Sequence, residues 1–113
     1  MDKGVYGKDG SKRVTPIGNA YETVAASQIA QVLGPTGGIN DYISHLVVIP
    51  ATISPGSVAL LDNATSITVF PGGASSLTSL APFTIPLGMY SVSGAWKITT
   101  GASVSVIAVG NFT

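Results

Sequence analysis

The stretch AWKITTGASVSVIAV, residues 95–109, decides how the rest of the chain reads. Trp96 and Ile98 alternate with Lys97 and Thr99; after Gly101, Val104 and Val106 alternate with Ser103 and Ser105. A period of two sends successive side chains to opposite faces, so each run is a half-buried β-strand. At Ile107 and Val109 the remaining face turns apolar too, which predicts cover on both sides of that strand end.

The same pattern recurs towards the N-terminus. Residues 42–49 are rich in β-branched side chains and stop at Pro50, and Ser54-Pro55-Gly56-Ser57 has the residues of a type II turn. Residues 58–61 and 66–70 flank Asp62-Asn63, residues that tolerate the left-handed backbone of tight turns, so 57–70 reads as a hairpin. Pro71-Gly72-Gly73 opens a Ser-rich loop through Ser79. Beyond it Phe83, Ile85 and Leu87 alternate with Thr84 and Pro86, and Pro86 makes that strand an edge or interrupts it.

Residues 21–33 suit two structures. Tyr21, Val24, Ala25, Ile29, Val32 and Leu33 fit one face of a helix ended by Gly34-Pro35, but the helix formers present are mostly small. Beside a β-rich remainder, the reading adopted is an extended strand broken near Ala26-Ser27. Residues 34–38 are a loop by composition.

Short strands at roughly 8 to 12 residue spacing, separated by Gly/Pro turns, predict an all-β fold: an antiparallel β-sandwich or jelly-roll-like domain over residues 21–113. Residues 1–20 hold four glycines and few large apolar groups, too little to offset the entropy of ordering. They are expected to form an extended N-terminal arm, with Val14, Ile17 and Tyr21 as the groups able to anchor it on a neighbour.

Charge is distributed unevenly. Of the ten Asp, Glu, Lys and Arg residues, six lie in the first thirteen, while residues 63–113 carry Lys97 alone. Ionic residues make up 9% of the chain, against roughly 25% in an average soluble domain. Such a domain needs another way to cover its surface, and burial against copies of itself or a partner is the simplest. Zero net charge removes the field that would recruit nucleic acid or an anionic membrane. No run approaches a membrane span or the apolar core of a signal peptide, which predicts a soluble product without an export signal of its own.

Chemistry has few carriers. His45 is the one histidine, there is no cysteine and no G-x-S-x-G elbow, so neither a catalytic triad nor a thiolate or Cys-based metal site is expected. His45 reads as a surface or interface residue with a hydrogen-bond partner. Asp2, Asp9, Glu22, Asp41 and Asp62 form no close pair for acid–base work or a calcium cage. Asp62 reads as a turn former, and Asp41 as a brace for the loop entering the first core strand. The segment Gly7-Lys8-Asp9-Gly10-Ser11-Lys12 lacks the spacing and context of a phosphate loop. Asn63-Ala64-Thr65 and Asn111-Phe112-Thr113 match the short glycosylation pattern and are discounted. Trp96 is expected to be a core or intersubunit anchor. No enzyme activity, cofactor, metal or small-molecule substrate is expected.

The stretches VAASQIAQVLGPTGGINDYISHLVVIPATISPGSVALLD, ITVFPGGASSLTSL, FTIPLGMYSVSGAWKITTG and SVSVIAVGNF resemble a group of small proteins encoded by tailed bacteriophages and prophages of Gram-negative bacteria. The resemblance spans about residues 23–112 and includes no catalytic signature. It implies a virion structural component, here expected to be a capsid decoration, or cement, protein. Such a protein would be made in the host cytoplasm and form homo-oligomers, trimers in the simplest arrangement, on the capsid surface. Its partners would be its own copies and the major capsid protein, with no nucleic acid or membrane. A tail, fibre or baseplate component would share the same neutral sandwich, and a carbohydrate-binding module would use Trp96 or Tyr90 as a stacking platform.

Overall fold

The computed structural model describes residues 19–113. Eight strands follow one another: β1 (Ala20–Val24), β2 (Gln31–Val32), β3 (Tyr42–Pro50), β4 (Val58–Asp62), β5 (Thr65–Phe70), β6 (Phe83–Tyr90), β7 (Trp96–Thr100) and β8 (Val104–Asn111). They form two antiparallel four-stranded sheets, ordered β1-β8-β3-β6 and β2-β7-β4-β5. Of the consecutive strands, only β4 and β5 pair with each other; every other connection crosses from one sheet to the other. This is the strand order of a jelly roll, in which two Greek keys wind together.

The alternation in sequence becomes the inside and outside of the sandwich. Val104, Val106 and Ala108 of β8 and Ile43, Leu46 and Val48 of β3 face Val58 and Leu60 of β4 and Trp96 and Ile98 of β7, all of them buried. Lys97 and Thr99 point away from this core, as the spacing predicts. Residues 95–109 hold a surprise in their connection: β7 and β8 lie in opposite sheets. The chain changes sheets at residues 101–103, where Ser103 takes φ 62°.

The ambiguous segment is extended and broken as expected, with Ser27 at φ 60° between β1 and β2. Pro86 lies on β6, an edge strand, opposite His45 of β3. Two turn readings are corrected. The β4–β5 hairpin turns on Asn63-Ala64, with Asn63 at φ 57°, while Asp62 remains in the ladder opposite Thr65. Gly56 does not take the positive φ of a type II turn. Its backbone instead runs against the β7–β8 crossing, donating to the Ala102 carbonyl at 2.8 Å, and a Cβ there would lie 2.7 Å from the Gly101 Cα.

Hydroxyl side chains lock the corners. Thr100 Oγ1 donates to the Ala25 carbonyl at 2.6 Å and accepts the Gln28 amide at 2.9 Å, while Thr99 Oγ1 accepts the Ala30 amide at 2.9 Å. These bonds hold the β1–β2 corner against β7. Part of the Ser/Thr content therefore satisfies backbone groups that the crossings leave without ladder partners.

Candidate functional site

Each carboxylate in the described residues accepts backbone amides. Glu22 Oε1 accepts from the Gly34 amide at 2.7 Å and Oε2 from Gln31 Nε2 at 2.8 Å, joining β1 to β2 and the loop after it. Asp62, buried at the end of β4, accepts from the amides of Val92 at 2.9 Å and Ser93 at 3.1 Å. Its role is to fasten the β6–β7 loop, not to form the hairpin turn. Asp41 Oδ2 accepts from the Gly38 amide at 3.1 Å, the loop brace that the sequence suggests.

Asp41 is also the hub of a second arrangement. Its carboxylate takes the amide and hydroxyl of Thr113, and its carbonyl takes Trp96 Nε1 at 2.8 Å and the Ser91 amide at 2.9 Å. Thr113 returns its own carbonyl to the amides of Thr36 and Gly37, at 3.0 and 2.6 Å. Around this hub opens a cleft of about 520 Å³ lined by Asn19, Asn40, Asp41, Tyr42, Tyr90, Asn111 and Thr113. Tyr42 and Tyr90 are cross-strand partners whose ring centroids lie 5.1 Å apart with an interplanar angle of 50°.

The cleft adjoins the outer face of the β1-β8-β3-β6 sheet. The ladder registers place Tyr21, Val109, His45 and Pro86 in one row across that face. Thr23, Ile107, Val47 and Thr84 form the next row, and Ile49 lies opposite Ser105 beyond it. No Asp, Glu, Lys or Arg stands in these rows. The cover predicted for Ile107 and Val109 exists on the core side only; on the other side both remain partly open to solvent.

Of the residues singled out from sequence, Val14 and Ile17 lie outside the described residues, and Tyr21 stands 72% exposed at the margin of this face. Trp96 is 2% exposed and its indole N–H is taken, so it is a core anchor of the folded chain and offers no stacking platform. His45 lies on the open face, its Nδ1 3.0 Å from Ser44 Oγ. The structure brings Tyr21 and His45 into one row with Val109 between them; Trp96 belongs to the other sheet. Sequence reasoning missed the cleft, whose Asn residues come from the strand ends and loops around it. Among the described residues no group of three His, Cys, Asp or Glu side chains could hold a metal.

Comparison with known proteins yields no relative: no family model, no curated protein and no solved structure matches the chain.

Proposed function

We propose that this protein is a bacteriophage virion structural protein, a capsid decoration protein that self-associates and binds the major capsid protein on the surface of the head. The observation that carries this reading is the uncharged outer face of the β1-β8-β3-β6 sheet, with Val47, Ile49, Ile107 and Val109 at its centre and Tyr21 at its margin. Four strands about 4.8 Å apart, three of them eight or nine residues long and β1 five, make a footprint of roughly 500 Å². A standard interface buries about 800 Å² per partner, so this face would form the middle of a contact that adjoining loops and edges complete. Aromatic residues and absent charge are what interface centres favour.

The phage setting rests on the resemblance of residues 23–112 and, by analogy of fold alone, on the recurrence of jelly rolls in viral capsid domains. Mechanism here means adhesion. A subunit that bridges two capsid proteins binds the assembled shell and not the separated subunits, which stabilises the shell by mass action. Homotrimers would present several such contacts at once.

The test is the oligomeric state of the purified chain by sedimentation, with and without Ile107→Glu, followed by binding to phage heads that lack the protein. Oligomers that dissociate in the variant, together with loss of head binding, are expected. A wild-type chain that sediments as a monomer and ignores the heads would overturn the reading.

A further inference from the structure

We propose that the cleft between Tyr42, Tyr90 and the three asparagines binds a neutral saccharide. Its size, about 520 Å³, falls within the roughly 300–1,000 Å³ of small-molecule sites. Its lining is unusual for a pocket in offering almost no aliphatic wall.

The polar groups select the ligand. Asn19, Asn40 and Asn111 are exposed, and among the described residues their side-chain amides make no hydrogen bond within the chain. Each amide offers two donors and an acceptor, and the tyrosine hydroxyls offer both as well. That mixture suits a ligand whose groups also donate and accept, as sugar hydroxyls do. Tyr90, 64% exposed, presents a ring against which the C–H face of a pyranose can stack.

Charge narrows the class further. No Lys, Arg or His lines the cleft, and the Asp41 carboxylate stands in its wall, so phosphorylated, sulfated and sialylated ligands meet a net unfavourable field. The same carboxylate is no cation trap, because its oxygens already accept three hydrogen bonds from Gly38 and Thr113. A hard cation would need several further carboxylates. An uncharged, hydroxyl-rich ligand with one apolar face remains. This inference does not depend on self-association, since the cleft is built from one chain.

The experiment is a screen of the full-length protein against immobilised neutral and acidic glycans, followed by saturation-transfer NMR with the best neutral oligosaccharide at millimolar concentration. Binding that resists added salt is expected. It should weaken roughly tenfold, a 1.4 kcal/mol change, in Tyr90→Ala and by clearly less in Tyr90→Phe, which keeps the stacking ring and loses only the hydroxyl. Asn40→Gly accommodates the φ of 71° at that position while removing the amide, so it should weaken binding with the fold intact. Should Tyr90→Ala lose its structure, Asn40→Gly and Asn111→Ser carry the comparison. The proposal fails if no neutral glycan binds at that concentration, if only acidic glycans are captured, or if the folded variants bind as wild type.

Discussion

Asp41 and Thr113, 72 positions apart, are bonded twice: the Thr113 amide donates to Asp41 Oδ2 at 3.0 Å and its hydroxyl to Oδ1 at 2.9 Å. Replacing Asp41 by Ala would strip acceptors from these donors and from the Gly38 amide. We expect a loss of about 2–4 kcal/mol, against about 1 kcal/mol for Thr113→Ala, which keeps the backbone bonds. Urea unfolding of both single variants and the double variant measures the coupling; additive effects would show that the pair does not act as one clasp.

Trp96→Phe keeps most of the buried ring and removes the indole donor to the Asp41 carbonyl. That carbonyl retains the Ser91 amide, so the cost should be modest, about 1–2 kcal/mol. In the wild-type chain, acrylamide should quench Trp96 fluorescence weakly whether the protein is assembled or dilute. Strong quenching on dilution would place the indole at an interface instead.

Gly110 lies in β8 against β3. A Cβ at this position would collide with the Tyr42 carbonyl oxygen and lie 2.9 Å from the Ile43 Cα, both backbone atoms that no rotamer change can move. Gly110→Ala should therefore part the central strands near the cleft and lower the urea midpoint sharply. A variant within 0.5 kcal/mol of wild type, the ordinary scatter of surface changes, would contradict this packing.

Leu60 and Ile107 are aliphatic strand residues with opposite expected costs. Leu60 is fully buried between the sheets, so Leu60→Ala should cost about 2–5 kcal/mol. Ile107 is partly exposed on the outer face, and Ile107→Ser should leave monomer stability nearly unchanged. Unfolding measured at concentrations low enough to dissociate any oligomer distinguishes the two; equal losses would mean that the outer face is a second core within the chain.

Much of the sandwich is legible because its signals are local. Alternation at Trp96, Ile98, Val104 and Val106 needs only the pleat, and Pro86 names its own edge because it cannot donate to a central ladder. Pairing is another matter. Nothing in Gly101-Ala102-Ser103 announces that β7 and β8 part into different sheets, since that choice depends on Gly56 arriving from about 45 residues earlier in the chain. Asp62 misled for a related reason: next to Asn63 it looks like a turn residue, and its amide partners at Val92 and Ser93 are remote in sequence. The cleft was illegible because Asn19, Asn40 and Asn111 have no common spacing, and only the topology brings them together.

The placement of β8 between β1 and β3 has a kinetic meaning. β1, at the edge of the first sheet, and the side of β3 away from β6 must wait for a strand that leaves the ribosome about fifty residues after β3. Closing contacts of such range is slow, and the waiting strands carry almost no charge to keep neighbouring nascent chains apart. The interval between synthesis of β3 and arrival of β8 is thus the period in which this chain is most exposed to misassembly. Dilution, lower temperature or a holding chaperone during expression should raise the yield of folded protein more than any change to the finished surface.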